Sequence, residues 1–260
     1  MALNTRRMGM PRIDGLTLDG IPVEQRMLAL SEAGVTIDKT SPTLSTETIP
    51  GRMGVLDVTL EDETGGAYMG MRNITLGLYA AGGEDDILQA KTWLGGLDGK
   101  TTSLRWRGLP GEYRGRLTVG AWQDVWTADR QSHALVEVGM TAMPCLYGPT
   151  RHAPLTAGIN TVSIRGNRPA WPTWTLTPAQ GAKSLSIRDT RGHTFTLNAA
   201  QTLSGQITVT TDPANRATRI NGNLTTPTID SDYFPLPPGA NTLTLAGCSG
   251  RMAYEPLTLI

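Results

Sequence analysis

Apolar and polar residues alternate with a period of two along several stretches of the first half of the chain. In "VLDVTLED", residues 55–62, Leu56, Val58 and Leu60 share one face while Val55, Asp57 and Thr59 share the other. That is the pattern of a half-buried β-strand. "MRNITLGLYA" repeats it with Ile74, Leu76 and Leu78, and the charged, glycine-bearing "EDETGGAY" between them reads as a hairpin loop. "YRGRLTVGAWQDVW" and "HALVEVGMTAMP" form a second long pair. Leu117, Val119 and Ala121 alternate in one arm, and Leu135 takes the opposite face from Val136, Val138 and Met140 in the other. One segment breaks the alternation. "GGEDDILQAKTWLGGLDG" places Ile87, Ala90, Leu94 and Leu97 at helical spacing, with three carboxylates in the first turn, where the helix dipole favours them. Gly95 and Gly96 are available to stop this helix, which is expected to pack on the first domain's sheet.

From Leu155 onward the pattern predicts strands only: "GINTVSIRG", "PTWTLT", "KSLSIRD", "HTFTLNAA", "QITVTTD", "ATRINGNL", "NTLTLAG" and "AYEPLTLI". Short strands with a turn roughly every ten residues predict an antiparallel β-sandwich. "CLYGPTRHAPLTAG", with Pro149 and Pro154, reads as a linker. The boundary is therefore expected near residue 150, giving domains of residues 1–150 and 151–260. The expected fold class is mainly β: a barrel- or sandwich-like first domain with one α-helix, then a β-sandwich.

Composition supports this picture. A chain of 260 residues with 39% hydrophobic content can bury a real core, and Gly 30 and Pro 17 suit short strands joined by turns. No apolar run is long enough to cross a bilayer, and "MALNTRRMGMPRIDG" lacks the apolar core of a signal peptide, so membrane insertion and secretion are not expected. Cys145 and Cys248 stand far apart without a CxxC partner, which predicts two reduced structural thiols in a protein made in a cytoplasm. Net charge is zero, which argues against general nucleic-acid binding. The halves differ: residues 1–150 hold 14 basic and 18 acidic residues, a net of −4, and residues 151–260 hold 9 and 5, a net of +4.

Catalytic motifs fail on inspection. "LGGLDGKTT" has Leu94 where a phosphate-binding loop needs glycine, and it runs from a helix into a strand, so carbonyls rather than amides point outward. "GCSG" (247–250) joins two strands and is not the GxSxG elbow. His133, His152 and His193 are scattered without metal-ligand spacing. The acidic runs "EDET" and "EDD" are explained by a solvated loop and a helix first turn. No nucleophile, base and oxyanion hole assemble, so no catalytic residue, cofactor or metal is expected. Trp171 and Trp174 in "RPAWPTWTL", with Tyr233 and Phe234, could stack on sugar as in a carbohydrate-binding adhesin or binding module. The favoured alternative makes Trp174 and Phe234 core fillers, with Trp171 covering a strand edge guarded by Pro169 and Pro172.

Two signatures remain. "GNRPAWPTWTLT" opens the second domain and "SDYFPLPPGANTLTL" lies near its end. Together they resemble the distal tail proteins (Dit) of siphophages, which are tail-tip and baseplate components. In that family an early Gly-Asn leads into a proline-bearing strand, and a late Pro-Gly-x-Asn-x-Leu leads into a terminal hairpin. Gly166, Asn167, Pro172, Phe234, Leu236, Pro238, Gly239, Asn241 and Leu243 carry the match, which is best over residues 155–260. The first half agrees in layout, a β-rich domain with one helix. The resemblance implies a structural protein of the virion, made in the host cytoplasm and located at the tail tip. Its first domain would close head-to-tail into a hexameric ring, one ring face joining the tail tube protein and the other the tail hub or tail-associated protein. Its second, galectin-like domain would project outward toward side fibres or host cell-wall glycan. DNA would pass without sequence readout.

Overall fold

A computed structural model of the chain describes residues 14–62 and 65–260. The readings that fall on residues 1–13 and on residues 63 and 64 lie outside the described residues. The chain divides into two compact units, with the main boundary between Leu146 and Tyr147.

The first unit is a curled antiparallel sheet with one α-helix. Its strands are β1 (Thr17–Leu18), β2 (Ile21–Pro22), β3 (Leu28–Ile37), β4 (Thr46–Glu47), β5 (Leu56–Asp57), β6 (Arg72–Ala81), β7 (Thr101–Arg105), β8 (Tyr113–Val119), β9 (Gln123–Thr127) and β10 (Arg130–Ala142). The main sheet runs β2-β1-β7-β8-β10-β6-β3, and β9 pairs with β10 after β8 has ended. Alternation sets its inner face: Ile74, Leu76, Leu78, Leu117, Val138 and Met140 are buried. Helix α1 (Glu84–Leu97) lays Ile87, Ala90, Leu94 and Leu97 against β6, β8 and β10. Each large aliphatic side chain so removed from water contributes about 1.5–3 kcal/mol. Asp86 accepts a hydrogen bond from the Gly83 amide at 3.0 Å and satisfies one of the free donors at the helix start.

The helix does not stop at Gly95 and Gly96. Burial of Leu97 carries the helix one residue past Gly96, and the stop comes at Asp98 and Gly99, the latter with φ +72°. A larger correction concerns residues 55–62. They do not form a half-buried strand beside residues 71–80. Only Leu56–Asp57 is strand, paired with Thr46–Glu47, and β6 pairs instead with β10 and β3. The loop reading of residues 61–68 fits an antiparallel bridge between Glu61 and Ala67.

The second unit is a two-sheet antiparallel sandwich. After β11 (Leu146–Tyr147) come β12 (Arg151–Leu155), β13 (Gly158–Ile164), β14 (Thr173–Pro178), β15 (Ser184–Asp189), β16 (Thr194–Asn198), β17 (Ile207–Thr210), β18 (Ala217–Ile220), β19 (Asn223–Thr225), β20 (Gly239–Ala246), β21 (Cys248–Tyr254) and β22 (Leu257–Thr258). One sheet runs β12-β21-β14-β17-β18-β19 and the other β13-β20-β15-β16. Both contribute to a single core that includes Trp174, Ile207 and Met252 from the first sheet and Val162, Phe195 and Leu243 from the second. Two refinements apply. The stretch read as a linker contains β12, which pairs with β21. "ATRINGNL" is not one strand but a hairpin, turning at Asn221 and Gly222 with φ of 50° and 83°.

Candidate functional site

In the second unit the two signatures come together as a built structure. Asn167 donates from its side-chain amide to the Leu259 carbonyl and accepts from the Leu259 amide, both at 2.7 Å. Gly166, at φ +99°, passes so close to Leu257 that a Cβ would collide with its carbonyl oxygen. Ala170 and Leu236 exchange backbone hydrogen bonds at 2.9 Å. Pro172 is buried and its carbonyl accepts from the Thr211 hydroxyl at 2.7 Å. Phe234 sits in the core between Trp174, 5.1 Å away centroid to centroid, and His193, at 5.3 Å. Asn241 donates to the Pro237 and Gly239 carbonyls and so closes the turn across Pro238. Gly239 holds φ +94°, and Leu243 is fully buried.

The loop before this turn covers a strand edge. The Thr228 and Asp232 amides donate to the Thr196 and Thr194 carbonyls, and the Ser231 hydroxyl accepts from the Thr196 amide at 2.8 Å. Arg191 pairs with buried Asp189 and donates to the Pro235 carbonyl at 3.2 Å, fixing the loop from its other side. Trp174 has no exposed surface and Trp171 is half-buried, so Trp174 offers no face to a sugar. Trp174, Phe195 and Phe234 are core fillers, and Tyr233 packs against them.

The first unit carries a surface of the opposite kind. Between β3 and β6 the chain leaves the sheet as an arm of residues 38–62 and 67–71. Thr43 donates to the Tyr68 carbonyl, Gly70 to Ser41 and Val58 to Ser45, which holds three extended runs side by side. Thr59 donates to the Asp57 carboxylate at 2.9 Å, and its hydrogen bonds hold that carboxyl below its ordinary pKa. Every residue from Ser41 to Val58 is exposed. Leu44, Met53, Val55, Leu56, Val58, Leu60, Tyr68 and Met71 are among the large apolar side chains left open, Met53 at 98% exposure and Leu60 at 77%. Contiguous exposed apolar surface of this kind is the feature that contact sites carry. Alternation marks Val55, Leu56, Val58 and Leu60 among them but assigns them to the wrong partner, and Leu44, Met53, Tyr68 and Met71 carry no such signal.

The remaining sequence candidates stay apart. Lys100 follows the helix end, as its sequence context implied, and its amide donates to the Leu97 carbonyl at 3.1 Å. His193 lies 3.7 Å from the Asp232 carboxylate in the second unit, and His133 is a β10 residue next to Ser132. Among the described residues no group of three or more His, Cys, Asp or Glu side chains is placed to hold a metal ion. Cys145 and Cys248 are free thiols, and burial pushes the Cys248 thiol up to about 11. No helix among the described residues is long and apolar enough to cross a membrane.

The class defined by these features is a mainly β protein of two units, one a closed sandwich and the other a helix-backed sheet bearing an open apolar arm. Its relationships narrow the class. Residues 165–257 match the family model described as the siphovirus-type tail component, C-terminal domain. Among solved structures, the Dit (gp 19.1) protein of phage SPP1, described as a paradigm of the hub adsorption apparatus in Gram-positive infecting phages, superposes with a TM-score of 0.69. That match covers 94% of this chain and 98% of the other at 17% identity. Two structures of the phage p2 baseplate in its activated conformation, with Sr and with Ca, are more distant. Their TM-scores are 0.47 and 0.43 at 9% and 10% identity, each covering 90% of this chain and 92% of the other. No curated protein matches the sequence. The resemblance read from "GNRPAWPTWTLT" and "SDYFPLPPGANTLTL" therefore holds: residues 165–257 match the siphovirus-type tail component model, and the chain shares the fold of SPP1 Dit.

Proposed function

We propose that this chain is a structural protein of a siphophage distal tail, located in the virion at the tail tip. Its first unit assembles head-to-tail into a closed ring, six-membered in the simplest form, between the tail tube protein and the tail hub. The second, galectin-like unit stands at the periphery, where side fibres or the host wall come within reach. The observation that carries this reading is the arm. A segment whose apolar side chains face solvent in one copy acquires a burial partner when a neighbour repeats around an axis, and a heterologous contact of that kind gives a ring when its rotation closes. The role is mechanical and needs no cofactor.

Negative-stain microscopy and light scattering of the purified full chain test it. A ring is expected, with residues 1–150 alone still assembling and residues 151–260 staying monomeric. An oligomeric C-terminal fragment beside a monomeric N-terminal one would reverse the assignment.

A further inference from the structure

The sandwich has four sheet edges, and three are guarded. β12 carries Pro154, which lacks a donor, together with Arg151. β19 has only three residues. On β16, the outward Thr194 carbonyl, Thr196 amide and Thr196 carbonyl are all taken by residues 228–232. The fourth edge is β13, "GINTVSI", which has no proline, no charge and no bulge along seven residues paired with β20.

The ladder shows which of its groups point outward. The Ala199 amide donates to Lys183 and the Asp189 amide to His193, so odd-numbered residues of β15 bond β16 and even-numbered ones bond β20. Alternation then gives the even residues of β13 to β20 and turns Ile159, Thr161 and Ser163 outward. Agreement comes from the far end, where the Tyr254 hydroxyl donates to the Ser163 carbonyl at 2.9 Å and accepts from the Arg165 amide at 3.3 Å. At the near end the Asn160 side chain binds the Thr156 amide and carbonyl, which fixes the entry to the strand. Between these anchors the amides and carbonyls of Ile159 and Thr161 and the amide of Ser163 form a rigid, uncharged row. Ile159 stands beside it at 75% exposure.

We infer that the β13 edge is a strand-acceptor site, on which an extended segment of another protein of the tail tip adds as a fifth strand. The incoming chain would lie antiparallel to β13 with alternating apolar residues, one of them against Ile159, and with carboxylates at its flanks. The charge follows from Arg165, exposed at the end of β13, and from the net +4 of residues 151–260. A second copy of the same edge would need a two-fold axis, which a head-to-tail ring lacks. That choice of partner, and no other part of the inference, rests on the ring reading.

The probe is a fluorescent peptide, Glu-Thr-Val-Thr-Val-Thr-Glu, titrated into the full-length chain and followed by anisotropy and amide exchange. Expected results are saturable binding, slowing of the Ile159, Thr161 and Ser163 amides by about tenfold or more, and no binding of a peptide N-methylated at alternate residues. Thr161→Pro removes an outward donor without touching the β20 ladder, and it should weaken binding by about tenfold or more at unchanged melting temperature. Should that variant fail to fold, the exchange pattern of the parent decides. Absence of binding at about 1 mM peptide, or protection elsewhere in the chain, would overturn the site. Self-association of the parent through β13, lost in Thr161→Pro while the peptide fails to bind, would overturn the choice of partner. These outcomes do not depend on whether the first unit forms a ring.

Discussion

"VLDVTL" at residues 55–60 and "SDYFPL" at residues 231–236 differ in how far their patterns foretell what covers them. The first alternates like a strand folded onto its own core, yet Val55 and Leu60 are 55% and 77% exposed. The second, with Pro235, Pro237 and Pro238 following its aromatic pair, reads as turn punctuation around a core-filling Phe234, and Phe234 and Leu236 are at most 1% exposed. The difference teaches what periodicity measures. Alternation reports that one face of an extended segment is meant to leave water, but it does not report which molecule supplies the cover. Prolines forbid ladder donors, but they do not forbid burial when other groups, here the Ala170 amide and carbonyl, satisfy the backbone.

The contrast breaks first at the arm. Changing Leu44, Val55, Val58 and Leu60 together to serine should lower the melting temperature of the monomer only slightly, because all four are largely exposed and none belongs to the core within one copy. If a neighbour buries them, assembly should weaken by about 5 kcal/mol, a few thousandfold in association constant. Mass photometry against concentration checks this, and full assembly by the variant would show that the arm is not the contact.

The loop should behave in the opposite way. Phe234→Ala opens a cavity beside Trp174 and should destabilise the second unit by about 3–5 kcal/mol without changing assembly. Gly166→Ala, whose Cβ meets the Leu257 carbonyl, should cost about 3 kcal/mol in the same unit. Chemical denaturation followed by tryptophan fluorescence reads both.

Much of this architecture was legible in the sequence because it depends on local rules. Ile74, Leu76 and Leu78 keep period two and are buried, and Ile87, Ala90, Leu94 and Leu97 keep helical spacing and line the core. What was not legible depends on contacts between distant residues. The glycine pair Gly95-Gly96 suggests a helix end, but Leu97 gains more from burial than the two glycines cost in propensity, roughly 1 kcal/mol each. β12 contains a proline and looks like linker because its pairing with β21 joins residues almost a hundred positions apart. The motif residues were visible as a resemblance. The bonds from Asn167 to Leu259 and from Arg191 to Pro235 were not, since no local pattern announces them.

A smaller effect sharpens the same contrast through pH. Burial raises the Cys248 thiol from 9.0 to about 11, so between these values the unfolded chain loses a proton that the folded chain keeps. The unfolded state then binds fewer protons, and stability falls as pH rises from about 9 to 11, by about 2–3 kcal/mol. Below pH 9 this contribution is constant. Cys248→Ala should remove that part of the alkaline slope in the second unit, and equal slopes in parent and variant would show that the thiol is not sealed from water. Among the described residues the arm has no comparable buried acid. Asp57 is fully exposed and its pKa is displaced the other way, downward, by the Thr59 hydrogen bonds.

The smallest effect separates backbone conformation from packing at the turn itself. Gly239 begins β20 at φ +94°, a conformation L residues rarely adopt, yet a Cβ there would meet no atom within 4 Å. Its glycine is required by dihedral angle alone, unlike Gly166, which is confined by both angle and contact. Gly239→Val should therefore cost about 1–3 kcal/mol, drawn from backbone strain, with Asn241 still donating to the Pro237 carbonyl. Gly239→Asn should recover part of the loss, because asparagine tolerates positive φ better than a β-branched residue. Thermal melts of the three proteins in the order glycine, asparagine, valine would support a turn set by conformation. Equal destabilisation by asparagine and valine would show instead that the turn is held by side-chain contact, and the distinction drawn between the two glycines would fall.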